Sequence, residues 1–191
     1  MADNYLTDPL LFLIDTLFSL YIWAVMLRFL LQWTRADFYN PISQFLVKIT
    51  HPPLRLLRRF VPAIGRIDTS CLVLALLLQV TATFSVLAIQ GVTVSPVGLF
   101  LMGFADLVKL LLDIYFYAIF AGAILSWVAA GSYSAVASLI YSITAPLLNV
   151  CRRVIPDLGP VDLSPMLALF ILHLAKMMVL PPLGELARLL G

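Results

Sequence analysis

THPPLRLLRRFVPAIGRIDTS, residues 50–70, is the stretch from which this chain is best read. A second version of it, TAPLLNVCRRVIPDLGPVDLS, occupies residues 144–164. The offset is constant. Thr50 and Thr144, Pro52 and Pro146, Arg58 and Arg152, and Arg59 and Arg153 all lie 94 positions apart. So do Pro62 and Pro156, Gly65 and Gly159, Asp68 and Asp162, and Ser70 and Ser164. The shared pattern is T-x-P-x-L-x-x-x-R-R-x-x-P-x-x-G-x-x-D-x-S. The same offset carries Trp33 onto Trp127, Tyr21 onto Tyr115 and Tyr39 onto Tyr133 without a gap. Matches on proline, glycine, tryptophan and paired arginine do not arise from apolar composition alone, so the chain is an internal duplication. Its halves are residues 1–95 and 96–191.

Composition sets the solvent. Of 191 residues, 62% are hydrophobic and 12% are charged, and the mean hydropathy is +1.04. A soluble domain carries about 25% charged residues. A chain this apolar belongs in a bilayer. The net charge of +2 is too small to point to nucleic acid. Cys71 and Cys151 do not occupy matching repeat positions and form no C-x-x-C, so they read as small buried hydrophobes. The start, MADNYLTDPL, lacks Lys and Arg, and the apolar run behind it is too long for a signal peptide. No removable targeting segment is expected.

Working outward from the motif gives four spans. The first runs from about Pro9 to Trp33, with Asp8 as a plausible N-cap and Pro9 in the first turn. At about 1.5 Å per residue it is long enough to cross with tilt. The second runs over about 69–90. The third is placed at about 106–129, with 96–104 as a separate short helix, because one helix over 96–130 would be roughly 52 Å long. Gly98 and Gly103 would permit that break. The fourth spans about 163–180, ended by Pro181 and Pro182, with a short amphipathic tail behind it.

Between the spans of each half lies an amphipathic piece. Ile42, Phe45, Leu46 and Ile49 recur at helical spacing, as do Val136, Leu139, Ile140 and Ile143. Pro52 and Pro146 should interrupt the helix by removing an amide donor and crowding the preceding turn. The expectation is a helix–break–helix segment, interfacial or re-entrant, over Pro41–Val61 and again over Ala135–Ile155. Gly65 and Gly159 mark turns, and Asp68 and Asp162 read as N-caps of the following helices. Two spans per copy imply the same orientation for both, hence a pseudo-twofold along the membrane normal. Arg35, Lys48, Arg55, Arg58, Arg59 and Arg66 fall between spans one and two, with Arg28 just inside that end. Arg152 and Arg153 fall between spans three and four. The positive-inside rule therefore places both motif loops in the cytoplasm and both termini outside.

The duplicated R-R-x-x-P-x-x-G-x-x-D-x-S, following an apolar helix that ends near a tryptophan, resembles the YggT family, called YlmG in Gram-positive bacteria. The resemblance covers about residues 5–182. It implies a multi-pass protein of the bacterial cytoplasmic (inner) membrane. It also implies links to osmotic or cation stress and to cell division, and, among plastid relatives, to assembly of a membrane cytochrome and nucleoid distribution. No molecular activity follows from it. The second copy departs from the first where Arg55 becomes Asn149 and Arg66 becomes Pro160.

Two groups of residues compete for a functional role. Arg55, Arg58, Arg59, Arg152 and Arg153 sit at headgroup depth. They suit anionic lipid at about 1 kcal/mol per charge, or an acidic face of a protein partner. Pro62, Gly65, Asp68 and Ser70, with Pro156, Gly159, Asp162 and Ser164, fit a turn and cap better than a reaction site. The second group is intramembrane. Asp106, Lys109 and Asp113 share one helix face by their spacing. His173 and Lys176 are one turn apart on span four. Asp15 is the repeat counterpart of Lys109. Charges in a bilayer cost several kcal/mol unless paired or hydrated. Direct contact among Asp15, Lys109, Asp113 and Lys176 would satisfy them, either as a packing lock or as a hydrated ion path, and the cancelling charges favour the lock.

Histidines 51 and 173 fall on opposite sides, and no C-x-x-C-H, Walker loop, G-x-G-x-x-G or H-E-x-x-H is present. No cofactor and no metal are expected, and an enzyme is the least supported class. The leading expectation is a non-enzymatic scaffold or assembly factor that binds anionic lipid and a protein partner or a second copy of itself. The alternative is an ion or osmolyte transport component. Ala118, Ala121, Gly122 and Ala123 would allow close helix packing within or between subunits.

Overall fold

The computed structural model describes residues 4–65, 67–128, 134–154 and 162–191. Motif residues Pro156 and Gly159, together with Arg66 and Tyr133, lie outside the described residues. Six helices account for nearly all the rest: α1 Asn4–Trp33, α2 Pro41–Leu57, α3 Thr69–Ile89, α4 Pro96–Val128, α5 Ala135–Val154 and α6 Ser164–Leu190. Extended structure among the described residues is a single bridge between Ile64 and Ile67.

Five of these helices (all but α2) are long and apolar enough to cross a bilayer. That is one more than the four expected, because α5 also qualifies by length and composition. Large apolar side chains stand exposed along the long helices, among them Phe12, Leu20, Phe84, Phe120, Phe170 and Met178. Such a surface would aggregate in water and is satisfied by lipid. The chain is a multi-pass helical membrane protein.

Four expected breaks are absent. α2 continues through Pro52 and Pro53, and α5 through Pro146. The helix–break–helix reading is therefore corrected to one helix per copy. A proline loses one backbone bond, but tertiary packing holds the turns on either side. Thr50 and Leu54 are fully buried around Pro52, and Thr50 Oγ1 donates to Leu46 O at 2.5 Å. Thr144 and Leu148 are buried in the same way around Pro146. α6 likewise runs through Pro181 and Pro182 to Leu190.

The fourth absent break is in α4, which is one 33-residue helix from Pro96. Its glycines serve close approach and not interruption. A Cβ on Gly98 would stand 2.5 Å from Gly191 Cα, and one on Gly103 would stand 2.8 Å from Val80 Cγ2. The end of α6 thus lies against the start of α4. Ser95 N donates to Gly191 O at 3.2 Å, and the Ser95 hydroxyl donates to Leu190 O.

The duplication is visible in burial. Val25 and Ile119, Thr50 and Thr144, Leu54 and Leu148, Ser70 and Ser164, and Leu74 and Ala168 are repeat counterparts, and all are buried. Packing within each copy also matches: α1 with α3, α1 with α2 and α2 with α3, mirrored by α4 with α6, α4 with α5 and α5 with α6. Between copies the match is partial: α1 meets α4 and α2 meets α5, each pair its own counterpart, but the other contacts lack their equivalents. α3 packs on α4 and α1 on α5, but among the described residues α6 does not pack on α1, nor α4 on α2. A closed pseudo-twofold requires both members of each pair, so the expected twofold is replaced by a one-sided arrangement. Asn40 links the copies by donating from Nδ2 to Ala135 O at 2.8 Å, while its Oδ1 caps α2 at the Ile42 amide.

Candidate functional site

The motif builds an ion pair in each copy. Arg58 binds Asp68 at 2.5 Å, and Arg152 binds Asp162 at 2.9 Å. In the first copy the chain turns at Gly65, which has φ +61°, and Ile64 and Ile67 exchange two 3.1 Å backbone bonds around it. Glycine tolerates that left-handed geometry. The Ser70 hydroxyl then donates to Val61 O at 2.7 Å, and Thr69 Oγ1 donates to Pro62 O at 2.6 Å. The loop is thus tied to the start of α3 from both sides.

The two aspartates differ. Asp68 is only 2% exposed and stands at the N-cap position of α3 as expected, but its carboxylate makes no capping bond there and serves Arg58 as counter-ion. Asp162 is 45% exposed, and its Oδ1 accepts from the Ser164 amide at 2.9 Å. The Ser164 hydroxyl, then the Ser164 amide and Arg152, hold the Asp162 carboxyl below the usual carboxylate range.

Of the five arginines expected to meet lipid or a partner, Arg58 and Arg152 are thus engaged internally. Arg55, Arg59 and Arg153 are exposed and have no ion-pair partner among the described residues. Exposed apolar side chains stand beside them in sequence: Leu56, Phe60, Ile64 and Val154.

The intramembrane charges gather in part. Asp15, Asp106, Lys109 and Asp113 line one groove of about 250 Å³ between α1, α3 and α4, with Ser19 and Gln79. Gln79 Nε2 donates to Asp106 Oδ2 at 3.2 Å. Asp113 is ion-paired with Lys176 of α6, whose ammonium also stands 4.9 Å from the Phe116 ring centroid. Lys109 has no carboxylate within ion-pair distance among the described residues, so direct contact of all four expected groups is not realised. Nor do the three aspartates converge as a metal-holding group. His173, the repeat counterpart of Gln79, is exposed on α6 and lines no part of the groove.

Sequence reading used Arg28 only to orient the chain and passed over Gln79. Arg28 is buried at 6% exposure and joins α1 to α2, its Nη1 donating to Thr50 Oγ1 at 2.7 Å and to Val47 O at 3.1 Å. A signal was available: Arg28 is a charge inside an apolar run, and its counterpart in the second copy is Gly122.

Helices of this length, apolar surface and duplicated loop define a polytopic membrane protein built from a tandem repeat. The chain belongs to the CCB3/YggT family, whose model matches residues 7–89 and again 101–183. The two matches begin and end 94 positions apart, which is the offset of the motif. The chain is 42% identical over 177 residues to an uncharacterized protein of Pseudomonas aeruginosa, covering 92% of this chain and 90% of that one. It is 35% identical over 170 residues to the uncharacterized protein YggT of Escherichia coli, covering 89% and 88%. An uncharacterized protein of Vibrio alginolyticus is 41% identical over 162 residues, covering 84% and 86%. No solved structure matches the chain.

Proposed function

We propose that this protein is a non-enzymatic scaffold of the bacterial cytoplasmic membrane that grips anionic lipid, and through it or beside it a partner protein, by the basic ends of α2 and α5. The observation that carries the reading is the division of labour within each arginine pair. The first arginine is held by the motif aspartate, and the second, Arg59 or Arg153, is left exposed. A pair that only closed the loop would not need its second member. Exposed Phe60 at 84% and Ile64 at 70% flank the first pair, as expected of a segment seated at the headgroup boundary. On this reading α5, like its counterpart α2, lies along the cytoplasmic face, four helices cross, and both termini are outside.

The test is lipid preference in reconstituted vesicles, read by quenching of tryptophan with brominated phosphatidylglycerol or phosphatidylcholine. The wild type should favour the anionic lipid, and the preference should weaken with salt. The combined Arg55→Gln, Arg59→Gln and Arg153→Gln variant should lose most of it. Equal preference in the variant would sink the reading.

The groove lined by Asp15, Asp106, Lys109 and Asp113 supports a second reading, an ion pathway through an assembly of copies. Flux in sealed liposomes above the empty control, lost in both Asp113→Asn and Lys109→Gln, would favour it. No flux, with both variants folded but less stable, would leave these charges as packing groups.

A further inference from the structure

A cavity of about 340 Å³ opens where α1 meets the first turn of α2, and its polar lining is Arg28, Gln32, Arg35 and Ser43, with Leu31 and Phe38 among its apolar walls. We infer that this cavity is a discrete site for the phosphate headgroup of one anionic phospholipid. The inference rests on the membrane placement proposed above, but not on Arg55, Arg59 or Arg153.

The charge comes first. Arg28 is 6% exposed, and no carboxylate lies within 4 Å of it among the described residues. Its two hydrogen bonds both leave from Nη1. A guanidinium has five N–H donors, and its fork suits phosphate. Burying such a charge without a direct counter-ion is expensive, and an anion in the cavity would lower that cost. Arg35 supplies a second positive charge from the rim. It is held there by a left-handed backbone, φ +55°, rarely adopted by a non-glycine residue.

The second observation is independent. Ser43 Oγ is buried and has no hydrogen-bond partner among the described residues. Buried hydroxyls are nearly always satisfied, so an orphan asks for a reason. The fold does not supply one: the repeat counterpart, Ala137, is buried at the same place with no hydroxyl at all. Ser43 also belongs to the first turn of α2, where the helix dipole is positive and favours anions.

The occupant follows from the lining. No acid lines the cavity, and the neighbouring Asp37 is turned to the Tyr39 amide at 2.9 Å. A choline group would find two arginines and no counter-charge. The apolar walls suit a glycerol and the first carbons of an acyl chain better than free phosphate. The volume is at the low end of small-molecule sites, about 300–1,000 Å³, which fits a headgroup and not a whole lipid. The second copy has Gly122, Ser126, Ala129 and Ala137 where the first has Arg28, Gln32, Arg35 and Ser43. The site is therefore a device of one half only.

The experiment counts phospholipids retained by the detergent-purified protein in native mass spectrometry, titrating phosphatidylglycerol, phosphatidylcholine and inorganic phosphate separately. Arg28 is left alone because it also fastens α2. The wild type should retain one phosphatidylglycerol in preference to phosphatidylcholine. Arg35→Gln should weaken that retention about tenfold, as loss of a charge-assisted bond does, and Ser43→Ala several-fold. The Arg55→Gln, Arg59→Gln, Arg153→Gln variant should retain the lipid as the wild type does, even if its bulk lipid preference has gone. Equal retention of the two lipids, displacement of the lipid by millimolar inorganic phosphate, or retention unaffected by both Arg35→Gln and Ser43→Ala would each overturn the assignment. Loss of the lipid only in the triple variant would overturn it while leaving the basic-face reading intact.

Discussion

Asp68 and Asp162 occupy the same motif position and bind equivalent arginines, yet one is 2% and the other 45% exposed. The difference in solvent decides the energetics. Arg58→Ala leaves a buried carboxylate without its partner. The expected loss is roughly 2–3 kcal/mol, below the figure for a wholly buried pair because Arg58 itself reaches solvent. Arg152→Ala leaves a hydrated carboxylate and should stay within about 1 kcal/mol. Denaturation of the two variants in detergent would check the order; equal losses would show that burial of Asp68 is not the deciding factor. Asp162 also carries a pH prediction. Its pKa is lowered in the fold, so its contribution is present above the unfolded carboxylate value, about 3.9, and is lost as pH falls through the folded value. The stability gap between wild type and Asp162→Asn should be constant from neutral pH to about pH 5 and shrink below pH 4. The motif positions were legible in the sequence because they repeat. Which aspartate is buried was not, since the two motifs read alike and only the surrounding helices exclude water from one.

At the scale of elements, glycine and proline carry the lesson. The sequence places helix breaks at Pro52, Pro146, Pro181 and near Gly98 and Gly103, because local rules assign those residues to interruptions. None of the helices breaks there. The local cost of a proline is about 3 kcal/mol, and at Pro52 and Pro146 it is offset by burial of Leu46 and Leu54, and of Leu139, Ile143 and Leu148, on either side. The glycines in α4 answer a different need, the approach of α3 and α6. Gly103→Val should therefore act at the α3–α4 contact. Its added carbons meet Val80 within 3 Å, and overpacking of this kind costs about 1–3 kcal/mol. A companion Val80→Ala change should restore much of the loss. If Gly103→Val is neutral alone, α3 and α4 are less closely packed than these distances imply.

For the whole molecule, the question is how two similar halves are arranged. Each half packs its three helices alike, but the join between them is one-sided. Heterologous joins leave one surface of each half without its equivalent partner. The groove between α1, α3 and α4 lies at that join, and at the repeat counterpart of Gln79 the second copy has His173, which is exposed on α6. Topology provides the prediction at this scale. In a background lacking Cys71 and Cys151, single cysteines near both termini should be labelled from the same side of the membrane, and cysteines at Arg59 and Arg153 from the other. Termini on opposite sides would mean that α5 crosses as a fifth span and that the four-span reading is wrong.

The amino-acid sequence alone was enough for the membrane setting, the duplication and the presence of four of the five long apolar helices, though not for where α4 begins or α6 ends. Each of these rests on composition, periodicity or repetition, which act along the chain. The tertiary structure alone decided that the prolines are carried inside continuous helices and that α4 is unbroken. It also decided that Asp113 meets Lys176 while Lys109 does not meet Asp15, and that Arg28 and Ser43 share a cavity. These are through-space outcomes. They depend on which face of one helix meets which face of another, and two copies of nearly the same sequence can share every local rule and still meet differently.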